Sequence, residues 1–259
     1  RDLPSTSRRQ RQMCIRDRDK IEKNMAARME QKQKELYHAH AQRLALMLQN
    51  QTEEEFADSR FQVLSELTRL RQLCCDPALV YENYEGGSAK LDLCIELIQS
   101  AVESGHKILL FSQFTSMIEI LTARLQEESI SCFVLQGSTK KEQRAQMVEQ
   151  FNRDDTSVFC ISLKAGGTGL NLTGADIVIH YDPWWNVAVE NQATDRAHRI
   201  GQKNVVTVYK LIAKGTIEEK IIKLQQMKKE LAEEILSGDE IKTASFQREE
   251  LLELLEERF

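Results

Sequence analysis

At 259 residues the chain has room for one or two domains. Hydrophobic residues at 41% supply a core and charged residues at 29% a surplus of solvated helix surface, while 3 prolines and 11 glycines exclude collagen-like and low-complexity linker architectures. The net charge of −5 argues against a histone-like protein that coats nucleic acid through bulk charge, and the apolar runs, such as 108–111, fall far below the roughly 18 residues of a membrane span.

That average hides an asymmetry, because residues 1–20 carry net +4 and residues 237–259 net −4. Residues 1–18 lack helical or strand periodicity and read as a tail, either a basic nucleic-acid arm or a foreign extension. No hydrophobic stretch follows the Arg-rich start, so no secretory signal is expected. The six cysteines (Cys14, Cys74, Cys75, Cys94, Cys132, Cys160) have no CxxC spacing and read as reduced thiols of an intracellular protein. Cys74 and Cys75 with His38 and His40 suggest a metal cluster, but residues two apart face different sides of a helix, and no metal site is expected.

From 19 to about 76 the pattern is helical, with Leu44, Leu48, Leu64, Leu67 and Leu70 at spacings of three and four, so 19–81 reads as a helical segment. Asn83, Gly86 and Gly87 mark a loop and a domain boundary. Strands and helices then alternate. A helix over 90–103 capped by Gly105 leads to a strand over 107–111, and a helix over 115–128 to a strand over 131–135. The helix over 139–152 opens on Thr139 and Glu142 as a capping box. A strand over 157–163, the loop 164–169, a strand over 176–181, a helix over 187–198 and a strand over 205–211 precede a long helix over 216–236. The strands KILLF and DIVIHY are apolar throughout, as in a parallel sheet covered on both faces. The expected fold is α/β: a parallel sheet flanked by helices over 89–236, preceded by a helical segment and followed by an acidic helical tail over 237–259.

Parallel sheets bind ligands beyond the carboxyl ends of their strands. There lie Ser112 and Gln113, Gly137 to Thr139, the loop Lys164–Gly169, and Asp182 to Asn186, three of the four rich in the hydroxyl, amide and glycine groups that contact phosphate oxygens. The glycine loop fails both nucleotide fingerprints: Gly167 and Gly169 fit GxGxxG but Leu172 does not, and no Lys-Ser or Lys-Thr follows. It remains either a tight turn or a nest of backbone N–H groups for an anion. Farther on, Gln192, Arg196 and Arg199 fall on one helical stripe, with Asp195 four before Arg199 to orient its guanidinium. Two arginines projecting together suit the charge of a transferring phosphoryl group, and equally a solvated helix with an Asp–Arg pair.

The runs KILLFSQFTSMIEIL (107–121), SLKAGGTGLNLTGADIVIHYDPWWNVAVENQATDRAHRIGQ (162–202) and GTIEEKI (215–221) closely resemble the SWI/SNF-type superfamily-two helicase-like ATPases, and within them the second RecA-like lobe, or helicase C-terminal domain. The resemblance spans about residues 20–236, and DPWWN with DRAHRIGQ is its most specific part. It implies a two-lobed enzyme that closes on ATP and pulls on double-stranded DNA. Mg2+ is then held by the first lobe, and 19–81 is the inter-lobe segment. By matching position, Arg196 and Arg199 are implied as arginine fingers, and Gln192 as part of the nucleotide interface with Asp195, Gly167 and Gly169. Gly166 to Asn171, with Thr168, match the motif that couples nucleotide state to DNA grip. Ser112, Gln113, Gly137, Ser138 and Lys164 are implied to line the phosphodiester backbone, with Trp185 farther along the DNA track. Trp184 reads as packing under the sheet edge. Val187 stands where the family often has Pro, a departure that touches the helix start and not the chemistry.

No GxxxxGK[ST] occurs, and the only Asp-Glu dipeptide, Asp239-Glu240, continues Ile-Lys. The P-loop lobe is therefore expected outside this sequence, as a partner, and the chain alone is expected to be inactive as an ATPase. A rival reading is a non-catalytic module that docks on DNA or protein, with Leu251, Leu252, Leu254 and Leu255 of the acidic tail as a partner face or, more commonly for such helices, packed on the core. A dinucleotide-dependent enzyme is set aside by the failed glycine fingerprint.

Overall fold

The computed structural model describes residues 20–163, 165, 169–199, 201, 202, 204–234 and 248–255. The expected tail over 1–18 lies outside them. In chain order the elements are β1 (Lys20–Ala27), α1 (Gln31–Gln49), α2 (Glu53–Cys75), a 3₁₀ turn (Pro77–Leu79), α3 (Ala89–Glu103), β2 (Ile108–Ser112), α4 (Thr115–Glu127), β3 (Cys132–Leu135), α5 (Lys141–Arg153), β4 (Val158–Ser162), β5 (Ile177–His180), α6 (Val187–Thr194), β6 (Val206–Ala213), α7 (Ile217–Glu234) and α8 (Arg248–Leu255).

The chain divides into two units. One is built from Leu97–His180 and Ala188–Lys210 with the strand residues up to Asn24, the other from Met25–Glu96, Tyr181–Val187 and the residues from Leu211 onward. The sheet is six-stranded and all-parallel, in the order β1-β6-β5-β2-β4-β3. Its centre is fixed by β2, whose Phe111 pairs in register with Ile161 of β4 and His180 of β5. Every residue of β2, β4 and β5 is buried, as the continuous apolar runs require of strands covered on both faces. The chain leaves β2 towards β3 on one side and later crosses to β5 on the other, so the order reverses beside β2 and opens a crevice at the carboxyl ends of the strands.

Two local expectations are corrected. Residues 20–27 form an edge strand, not the start of a long helix. KIEKNMAA has no apolar helical stripe, and Glu22 and Lys23 meet Lys210 and the Tyr209 ring of β6, so pairing with the neighbour decides the conformation. The capping box sits at the head of α2, where Thr52 and Glu55 bond each other's backbone N–H reciprocally at 3.3 and 2.8 Å. Thr139 does not cap α5, because its hydroxyl accepts the Gln136 N–H at 3.1 Å and the helix begins two residues later, at Lys141. Gly105, by contrast, closes α3 at φ +78° as expected, with His106 N–H donating to the Ala101 carbonyl at 3.0 Å.

The second unit is helical. Leu44 and Leu48 of α1, Phe56, Val63, Leu67 and Leu70 of α2, Ile217 and Ile221 of α7 and Leu251 and Leu255 of α8 share one core. The tail leucines at 251 and 255 therefore pack on the protein's own core. Beneath it lies a buried ion pair, with the Lys90 Nζ donating to both Glu218 oxygens at 2.7 and 2.8 Å while the Ala213 N–H donates to Glu218 Oε2 at 2.8 Å. Cys74 and Cys75 are buried thiols whose titration burial pushes well up, and among the described residues no group of His, Cys, Asp and Glu is arranged to hold a metal ion. No described helix is long and apolar enough to cross a membrane.

Candidate functional site

In the sheet unit, the loops at the carboxyl ends of β2, β3 and β4 converge. Ser112 ends β2 fully buried: its Oγ accepts the Phe114 N–H at 3.2 Å and its carbonyl the Leu163 N–H at 2.9 Å, so it ties the β2 and β4 loops together. Gln113 is half-buried beside it, and Gly137 and Ser138 are exposed after β3. Nothing lies within 4 Å of where a Cβ would stand on Gly137, which leaves that backbone open to a ligand. Gly169 and Asn171 are exposed as well. Lys164, Gly167 and Thr168 lie outside the described residues, as does Gly166.

The arginine segment differs from its expected form. α6 ends at Thr194, not at residue 198, and the chain tightens into turns in which the Ala197 and His198 N–H groups donate to the Thr194 carbonyl at 3.0 and 3.2 Å. The single stripe of Gln192, Arg196 and Arg199 is thereby broken: Gln192 and Arg199 are exposed, while Arg196 is 3% exposed. Its guanidinium lies over the Phe111 ring, 5.5 Å from the centroid. Among the described residues Arg196 Nη1 is buried with no acceptor, and burial together with the positive charge of Arg199 pulls its pKa down to about 10. Arg199 Nη1 donates to the Gly169 carbonyl at 3.4 Å. Asp195, expected to orient Arg199, is exposed and forms no ion pair with it among the described residues.

His180 also stacks on Phe111, with ring centroids 5.5 Å apart. Its Nε2 shares a 3.0 Å hydrogen bond with Thr194 Oγ1, the residue on which α6 ends. Burial pushes the His180 pKa down to about 4, against the partly opposing charge of Glu190, so the ring is neutral at physiological pH. Glu190 is itself buried and paired with Lys210 at 2.9 Å.

In the helical unit, the segment Asp182 to Asn186 is gathered by Arg71 of α2. The Arg71 guanidinium donates to the Pro183 carbonyl, lies 3.8 Å from Asp182 Oδ2, and faces the rings of Trp184 and Trp185 at 5.5 and 5.7 Å. Trp185 is half-buried against the helical core, and Gln225 donates to the Trp184 carbonyl. Arg71, His180, Arg144 and Asn152 escape a reading by sequence. Arg71 finds Pro183 across 112 positions; Arg144, on α5, binds carbonyls of both the 136–139 loop and Ala165. No local spacing marks such partners.

A six-stranded, all-parallel sheet flanked by helices is the architecture of a RecA-like lobe. The profile of the Helicase conserved C-terminal domain matches residues 89–201. An uncharacterized ATP-dependent helicase of Mycoplasma pneumoniae is 45% identical over 202 residues, covering 76% of this chain and 19% of that protein. Among solved structures, the SWI2/SNF2 ATPase C-terminal domain of Sulfolobus solfataricus matches at a TM-score of 0.74 and 32% identity, covering 93% of this chain and 100% of that one. The SWI2/SNF2 ATPase core of the same organism in complex with dsDNA matches at 0.72 and 33%, covering 85% and 46%. The chain belongs to the SWI2/SNF2 family and corresponds to its helicase C-terminal domain. It spans about a fifth of the length of the bacterial relatives it matches.

Proposed function

We propose that the chain is the C-terminal lobe of an ATP-dependent translocase on double-stranded DNA, of the chromatin-remodeller type, in which Arg196 and Arg199 neutralise phosphate charge during ATP hydrolysis. The carrying observation is Arg196: a guanidinium 3% exposed, with Nη1 lacking an acceptor among the described residues. A buried cation in that state calls for an anion. ATP fits through its phosphates, whose developing charge a planar guanidinium fork complements. Arg199, donating to the Gly169 carbonyl, is the exposed second cation, and the exposed Gln192 and Asp195 are assigned to the nucleotide interface with Gly169 by their matching positions in the family. Mg2+ is assigned to the P-loop lobe.

The DNA track runs over Gly137, Ser138 and Asn171, whose exposed backbone suits phosphate oxygens without sequence preference. Gln113 belongs to the same track, with the buried Ser112 supporting it, and Trp185 is a DNA contact assigned to the helical unit by its matching position in the family. The tail as a docking face is disfavoured by the burial of Leu251 and Leu255 in the helical core.

The test is Arg199→Ala in the intact two-lobed protein. Steady-state turnover falls by about 10³ or more while DNA affinity is retained; unchanged turnover overturns the assignment. The isolated chain hydrolyses no ATP, and robust metal-dependent hydrolysis by it overturns the composite-site reading.

A further inference from the structure

Helix α5 holds both loops on which the proposed DNA track is built, through two side chains that no motif singles out. Near its start, Arg144 spreads over four backbone carbonyls: Nε donates to Thr139 at 2.8 Å, Nη2 to Gly137 at 3.0 Å and Gln136 at 3.4 Å, and Nη1 to Ala165 at 3.4 Å. Near its end, the Asn152 amide donates to the Asn171 carbonyl at 2.8 Å and accepts the Gly174 N–H at 2.9 Å. Between those two anchor points the Leu172 N–H donates to the Arg196 carbonyl at 3.0 Å. The two side chains stand about 12 Å apart along one helix axis, a span set by eight residues of α-helix.

Gly174 adds an independent sign of close fit. A Cβ there would stand 2.9 Å from Asn152 Oδ1 and 3.2 Å from the Asn152 Cα, so any side chain would displace the Asn152 amide and press on the helix backbone.

We propose that α5 is a clamp, in which Arg144 and Asn152 are positioning residues that set the 136–139 and 171–174 loops relative to each other and, through Leu172, to the Arg196 backbone. The inference rests on the reading of these loops as a DNA track and of Arg196 as a phosphate ligand. Arg144 fixes the shape of the backbone that meets DNA, and Asn152 fixes the link from that backbone to the arginine. A guanidinium is needed at 144 because a lysine ammonium is a single point and cannot span four carbonyls.

Two measurements test the clamp. In amide hydrogen exchange on the chain, Arg144→Ala speeds exchange at Gln136 and Thr139 by at least about tenfold, and Asn152→Ala does so at Leu172 and Gly174, with the rest of the lobe unchanged. Arg144→Lys does not rescue. Asn152→Asp, which keeps the acceptor and loses the donor, restores protection at Gly174. Gly174→Ala reproduces the Asn152→Ala pattern at Leu172 and serves if that variant fails to fold. In the intact protein, Arg144→Ala raises the DNA concentration for half-maximal hydrolysis about tenfold with kcat retained, whereas Asn152→Ala lowers kcat with that concentration retained.

Unchanged exchange at the four named amides overturns the proposal, as does faster exchange spread evenly over the lobe, which marks general destabilisation. Local loosening with both kinetic parameters unchanged in an active protein overturns it too. If the intact wild-type protein shows no DNA-stimulated hydrolysis, the translocase reading falls and the exchange pattern alone decides the clamp.

Discussion

Two buried cations, one in each unit, are handled in opposite ways. Lys90 in the helical unit is 1% exposed, and Glu218, 0% exposed, accepts two hydrogen bonds from it. Burial pulls the ammonium down, but the opposed charges around it leave its pKa above the ordinary lysine range. Arg196 in the sheet unit is almost as buried, yet a phenyl ring and a second arginine are what it meets, and its pKa is pulled down to about 10. The first arrangement is closed on itself. The second is electrostatically incomplete within the described residues, which is what a ligand site for an anion requires and what a purely structural arginine avoids.

Substitutions that separate structure from activity probe this contrast. The largest effect expected is on turnover: Arg196→Met in the intact protein lowers kcat by about 10³ or more, read by steady-state ATP hydrolysis. Lys90→Met strands the Glu218 carboxylate in the core and destabilises the fold by about 3–5 kcal/mol, read as a lowered urea midpoint. Adding Glu218→Gln, whose amide oxygen still accepts the Ala213 N–H, recovers at least about half of that loss. The His180 effect is smaller. The folded protein keeps the ring neutral down to about pH 4, while the unfolded chain protonates it near 6.5. Protons therefore favour unfolding, and the stabilisation present above 6.5 is lost as the pH falls towards 4. About 2 kcal/mol disappears between pH 7 and pH 5, and His180→Gln flattens that slope. Smallest is the effect of Arg196→Met on stability, within about 1 kcal/mol or favourable. A loss as large as that of Lys90→Met would erase the distinction between the two sites.

The inner strands were legible because burial on both faces leaves only apolar residues, so Ile108 to Phe111 and Ile177 to Ile179 announce themselves. β1 was not legible. Its Lys, Glu and Asn side chains are mostly exposed on a sheet edge, and only β6 makes it a strand. The end of α6 was hidden for a similar reason. Asp195 to Arg199 contains good helix formers, but His180 holds Thr194 and Gln202 Nε2 donates to the carbonyls of Ala175 and Ala197 at 2.7 and 3.1 Å, which favours turns. Arg196 and Arg199 were found as a pair from their spacing. Their division into one buried and one exposed cation came from tertiary contacts that no helical wheel contains. Arg144 and Asn152 carry no sequence mark at all, because their partners are loop carbonyls and an amide N–H.

The helical unit is assembled from three separated stretches of chain, and this imposes an order in time. α1 and α2 leave the ribosome with Leu44, Leu48, Phe56 and Leu70 bare, whereas Ile217 and Ile221 follow only after the whole sheet has been made. At about 5–20 residues per second, that seam waits on the order of ten seconds or more for its cover, and longer for Leu251 and Leu255. Until the later helices of the unit arrive, the nascent hairpin exposes an apolar seam of the kind that aggregates or recruits chaperones.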